Sequence, residues 1–175
     1  MIETYGADAV RLFILSDSPP EKDIQWSETG MTSAYKFIQK FWTLSEDILT
    51  LSQKEKDKST NEELEVFTNQ AIDKINIALE KFRYNVIIAV FHEIFNFYNK
   101  ILNKKINYIN LKENFKNILI VMSPVIPHLS NECLIKISDK GLLKWPLVNE
   151  KFLDSEEKEI VIQINGKKRG NILVN

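Results

Sequence analysis

Helix breakers are scarce in this sequence, and that restricts the fold more than any other feature. Only 5 Gly and 5 Pro occur among 175 residues. From Ala7 to Ile137 apolar side chains recur at three- and four-residue steps, the period of helices that bury one face. With 44% hydrophobic and 27% charged residues, the chain is too apolar for a disordered or linker-type class. Its length suits one domain, or one domain with a short appendage. The 23 basic residues against 24 acidic ones leave a net charge of -1. Any nucleic-acid binding must therefore come from a local patch rather than the whole surface. A single cysteine excludes a disulfide framework and a Cys-based zinc site within the chain. No apolar run reaches the roughly 18 residues of a membrane span and no signal segment opens the chain, so the expected compartment is the cytoplasm, without membrane contact.

Along the chain, Ala7 to Leu15 reads as a short buried helix. Ser16 to Trp26 is a loop, because Pro19 and Pro20 cannot continue a helix. Ser27 offers an N-cap oxygen for a long helix with Ala34, Phe37, Ile38, Phe41, Ile48 and Leu49 on one face. The polar run Gln53 to Asn61 is a solvated loop. Thr60 with Glu63 reads as a capping box for a helix that carries Leu64, Phe67, Ala71, Ile75, Ala78, Leu79 and Phe82 on one stripe. Asn85 to Leu102 is apolar on most sides, including Val86, which places it in the middle of a bundle. Asn110 with Glu113 suggests a further capped helix, broken by Pro124 and Pro127, with a short helix from His128 to Ile137. Near Glu159 the period changes to two, and Asn165-Gly166 follows, a strong hairpin signal. The expected fold class is mainly α. It comprises a helical bundle over 1–145, a linker over 146–158 and, over 159–175, a β-hairpin that begins a further β-containing domain. A hairpin alone is marginal in water, so the chain reads as a piece of something longer, with Met1 standing in for preceding sequence.

Phosphate-loop, dinucleotide, zinc-protease and nucleophile-elbow motifs are absent, and no catalytic or metal-ligating residues are expected. His92 reads as a structural or partly exposed histidine, His128 as a helix-start residue, and Cys133 as a buried core thiol. Lys36 and Lys40 lie four apart and share one helix face, opposite the apolar stripe. Two ammonium groups projecting together can contact successive phosphates of an RNA backbone; a solvated face is the alternative. Lys167, Lys168 and Arg169 follow the expected turn with no acid nearby and form a second small basic spot. Trp26 and Trp42 could stack on a base, although Trp42 flanks the apolar stripe and suits packing.

These residues resemble a known family. ETYGADAVRLFILSDSPPEKDIQWSETGMTSAYKFIQKFW is similar to the segment after the signature lysine loop of class I aminoacyl-tRNA synthetases, most closely the leucyl-tRNA synthetase family. The matching positions are Tyr5, Gly6, Ala7, Asp8, Arg11, Phe13, Pro19, Trp26, Gly30, Ala34, Lys36, Phe37 and Trp42. Pro124, Pro127, His128 and Glu132 resemble the start of the bundle's Pro-His helix, and Trp145-Pro146 its closing pair. Val161 to Ile172 resembles the strand and turn that opens the leucyl family's C-terminal domain. Lys36 and Lys40 stand where relatives often carry Arg, which keeps the charge and loses the bidentate fork.

The resemblance implies that this is the anticodon-binding-type bundle of an enzyme that joins leucine to tRNA(Leu) through leucyl-adenylate, using ATP and magnesium. The enzyme would be a monomer, with the fragment itself lacking the catalytic and editing sites and holding no cofactor. It implies that the bundle positions tRNA(Leu) through backbone contacts. Lys36 and Lys40 come first among the candidates, followed by Lys167, Lys168 and Arg169. Asp8, Arg11 and Trp26 would tie the bundle to the catalytic domain of the same polypeptide. The alternatives are a standalone protein-interaction or tRNA-binding adaptor bundle, or the bundle of another class I synthetase.

Overall fold

The computed structural model describes residues 1–16, 22–51, 62–104, 107–137, 144–153, 158–164 and 167–174. Seven α-helices are described: α1 (Ile2–Tyr5), α2 (Ala7–Ser16), α3 (Glu28–Thr50), α4 (Glu62–Glu80), α5 (Tyr84–Ile101), α6 (Tyr108–Met122) and α7 (Pro127–Ile137). A single 3-10 turn (Glu150–Phe152) and two strands, β1 (Lys158–Ile164) and β2 (Lys167–Val174), follow. Pro19, Pro20, Thr60 and the Asn165-Gly166 turn lie outside the described residues, as does the run 53–61.

Helices α2 to α7 share one apolar core, because each contributes its stripe to the same cluster, and Tyr5 of α1 packs against it. Phe41, Phe91, Tyr98 and Phe115 lie fully buried at its centre. The Phe41 and Phe115 rings are 5.9 Å apart, and Phe115 and Tyr98 5.2 Å, separations at which aromatic pairs attract beyond their area burial. Truncating any of these rings to Ala would cost about 3–5 kcal/mol. Tyr98 keeps one polar partner, the Thr68 hydroxyl at 3.4 Å. Burial raises its phenol pKa, a shift that the Thr68 bond partly offsets and the nearby Glu65 charge reinforces. α2 packs on α3 at Gly30, where a Cβ would sit 2.6 Å from Cε2 of Phe13. Only glycine permits that approach.

Helix ends follow local chemistry. The Ser27 hydroxyl accepts from the Gly30 N–H at 3.1 Å, as an N-cap should. α6 starts earlier than the Asn110–Glu113 pattern predicts. The cap is Asn107, whose Oδ1 accepts from Ile109 N and Asn110 N. Asn110 itself lies inside the helix and donates to Glu65 on α4, as does Asn114, so the α4–α6 contact takes the side chain the cap would have used. Gly6, at φ 78°, separates α1 from α2.

Two apolar expectations fail at the α4–α5 junction. Phe82 is 62% exposed and Val86 41% exposed. α4 stops at Glu80, and Phe82 adopts φ 53°. The Phe82 N–H then bonds Leu79 O at 3.0 Å and the Arg83 N–H bonds Ala78 O at 2.8 Å. That pair of bonds is a Schellman ending, whose left-handed residue is usually glycine. A side chain there costs on the order of 1–2 kcal/mol.

After α7 the chain returns along α4. Trp145 Nε1 donates to Asn76 at 3.0 Å, Asn149 N donates to Asn69 at 2.8 Å, and Val148 packs against the core. The strands pair antiparallel, from Lys158 opposite Val174 to Ile164 opposite Lys167. The register shifts between Ile162 and Gln163, because Ile162 pairs with Gly170 and Gln163 with Lys168. Arg169 is thus the extra residue of a bulge.

Candidate nucleic-acid interface

The geometry of α3 follows from its apolar spacing. Phe37, Phe41, Leu44 and Ile48 are buried, so the opposite row, Ser33, Lys36, Lys40 and Thr43, faces solvent. Ser33 and Thr43 turn their hydroxyls back to carbonyls of their own helix, Thr29 and Gln39. Lys36 and Lys40 are exposed, one helical turn apart, about 6 Å between Cβ atoms. Neither ammonium has an ion-pair or hydrogen-bond partner among the described residues. Two like charges at this spacing repel by a few tenths of a kcal/mol, a cost that an external anion would remove.

Trp42 lies beside this row, partly buried against the core and capped by the Lys136 ammonium 4.2 Å from its ring centre. Lys136 also pairs with Glu46. The indole is therefore occupied from within the bundle.

Asp8 and Arg11 make bonds inside the bundle. Asp8 is buried. Its Oδ2 accepts from Leu129 N at 2.7 Å, and its Oδ1 accepts from His128 N at 3.3 Å and meets His128 Nδ1 at 2.8 Å. A carboxylate set on the first amides of α7 satisfies donors that helix geometry leaves open, and complements the helix dipole. Arg11 donates from Nε to Val125 O at 2.9 Å and from Nη2 to Pro124 O at 2.7 Å, carbonyls freed where α6 ends. Together they fasten α2 across the α6–α7 turn.

Trp26 is half exposed, its ring edge-on to Phe13 with centroids 5.3 Å apart. It sits near a cleft of about 370 Å³ lined by Phe13, Ser27, Gly30, Phe37, Ile88 and His92. The His92 ring stands on Phe37 at 4.6 Å, and desolvation there lowers its pKa. Cys133 is fully buried, and burial raises its thiol pKa, partly countered by Ser45.

The structure thus brings Asp8, Arg11 and His128 together at one joint and sets Lys36 and Lys40 side by side on another face. Lys167 and Lys168 take consecutive positions in β2, opposite Ile164 and Gln163, with Arg169 at the bulge. The Lys81–Tyr84 turn is not marked by the helical period, which assigns Phe82 to the core; its signal in the sequence is an aromatic between two cations.

Residues 61–175 match the family described as the anticodon-binding domain of tRNA ligase. The chain belongs to that family. It is 34% identical to the leucine–tRNA ligase of Fusobacterium nucleatum over 98% of its own length, and 36% identical to that of Rickettsia bellii over 97%. The chain spans about a fifth of the length of these relatives, 22% and 20% respectively. Among solved structures it superposes with TM-score 0.76 on the Agrobacterium radiobacter K84 LeuRS, seen in a ternary complex with tRNA and LeuAMS. That likeness, at 24% identity over 99% of this chain and 23% of the other, is one of fold. The anticodon-binding bundle is therefore matched in sequence and in architecture. No helix among the described residues is long and apolar enough to cross a membrane.

Proposed function

We propose that this chain is the tRNA-positioning part of a leucine–tRNA ligase, the enzyme that attaches leucine to tRNA(Leu) through leucyl-adenylate. The observation that carries the reading is the pair Lys36 and Lys40, exposed and without partners among the described residues, in a chain similar over nearly its whole length to leucine–tRNA ligases. Family membership favours this role over a protein-interaction bundle. Two ammonium groups on a rigid helix hold phosphates without reading bases. Fixing the tRNA body in this way places its acceptor end for reaction, so the contribution is proximity rather than chemistry. Lys167, Lys168 and Arg169 form a second backbone contact. Residues 1–145 act as the bundle, 146–158 as the connection, and 159–175 as the opening strands of a β-containing domain.

The catalytic part of the same polypeptide docks on the face that carries Trp26, whose ring is half exposed, with Arg11 and Asp8, which also bond within the bundle. ATP and magnesium belong with leucine activation in that part. Among the described residues no group of three His, Cys, Asp or Glu side chains could hold a metal ion. We place the enzyme in the cytoplasm as a monomer.

The test is aminoacylation by the full ligase carrying Lys36→Glu with Lys40→Glu. The KM for tRNA should rise about tenfold, while leucine-dependent ATP–pyrophosphate exchange stays unchanged. An unaltered KM for tRNA would remove these lysines from the interface.

A further inference from the structure

We propose that the turn between α4 and α5, Lys81–Tyr84, is a further RNA contact in which the Phe82 ring stacks on an unpaired base and Lys81 and Arg83 take the flanking phosphates. The inference rests on the tRNA-binding reading and adds to it a site of different chemistry, since Lys36 and Lys40 grip backbone only.

The argument begins with a residue in an unfavourable place. Position 82 lies at φ 53° in a Schellman ending, where glycine is the usual residue because a Cβ crowds the backbone. Burial of a large ring would offset that strain, yet Phe82 is 62% exposed. Its aromatic neighbour is Tyr84, edge-on at 6.3 Å and 67°, which braces the ring without covering it. The strain therefore holds an aromatic face out in solvent, and strained residues of this kind cluster where function over-determines the backbone.

The surroundings select the partner. Lys81 and Arg83 are both exposed and have no ion-pair partner among the described residues, with Glu80 the adjacent acid. A planar apolar face between two cations complements a ligand that alternates flat bases with phosphates. This is the way proteins hold unpaired RNA, by stacking plus backbone charge. α5 runs nine residues, about 14 Å, from Arg83 to His92, whose ring stands on Phe37 of α3, the helix that carries the lysine pair.

The experiment titrates a leucine tRNA transcript against the full polypeptide, as wild type and with Phe82→Gly, Phe82→Leu, Phe82→Trp, and Lys81→Ala with Arg83→Ala. Phe82→Gly should raise the melting temperature by a few degrees while weakening tRNA binding at least about fivefold. Phe82→Leu keeps bulk and strain but loses the flat face, so it should weaken binding similarly. It also keeps the test informative should the glycine variant misfold. Phe82→Trp should bind like the wild type, and the double alanine variant should flatten the salt dependence by about two. Wild-type affinity in folded Phe82→Gly and Phe82→Leu would overturn the proposal and leave the turn to a protein partner. If those variants bind normally while Lys36→Glu with Lys40→Glu does not, only this inference fails. If the wild type binds no tRNA, the parent reading fails with it.

Discussion

Two sets of charges in this bundle came from the same stretch of sequence and have opposite fates. Asp8 and Arg11 on α2 are engaged within the bundle: the carboxylate meets two amides and an imidazole, and the guanidinium meets two carbonyls, all at the α6–α7 turn. Lys36 and Lys40 on α3 engage nothing among the described residues. The first pair closes helix ends that geometry leaves open. The second pair sits on a helix whose own bonds are complete, so its charge is left for something outside. What separates engaged from unengaged charge among the described residues here is the availability of unsatisfied backbone nearby, not residue type.

That contrast can be broken most forcefully at Asp8. Asp8→Ala leaves two α7 amides without their acceptor in a buried joint. It should cost about 2 kcal/mol and lower the melting temperature by roughly 4–8 °C. In the same melts Lys36→Ala with Lys40→Ala should scarcely move the transition. A stable Asp8→Ala protein would mean that the joint is not what holds α2 to α7.

Much of the fold was legible because helix period and breakers act locally. Ser27 as a cap, the run of α5 and the stop before α7 follow from neighbours within a few residues. The α4–α5 turn was not legible. A stripe at three- and four-residue steps puts Phe82 inside, and only the chain reversal decides that it turns out. The partners of Asp8 lie 120 and 121 residues away, so no local pattern could reveal them. Asn110 is not the cap its pattern suggests for a related reason, since Glu65 on another helix claims its side chain. The site was legible to the extent that it rests on spacing along one helix, as with Lys36 and Lys40.

A smaller effect refines the contrast at His92, an exposed residue whose ring nonetheless stands on Phe37. Desolvation lowers its folded pKa from 6.5. As pH falls through 6.5 the unfolded chain therefore takes up the proton first, and stability declines until the folded pKa is passed, below which the loss is complete. His92→Gln should flatten that part of a stability-versus-pH profile by a few tenths of a kcal/mol or less. An unchanged profile would show the ring to be as well hydrated in the fold as out of it.

The central claim is that unengaged lysines on α3 hold RNA phosphates. It is tested most directly by the salt dependence of tRNA(Leu) binding to the full polypeptide, wild type against Lys36→Glu with Lys40→Glu. Loss of two phosphate contacts should reduce the slope of log affinity against log salt by about two. Parallel lines of equal affinity would contradict the account and return both lysines to the solvated surface.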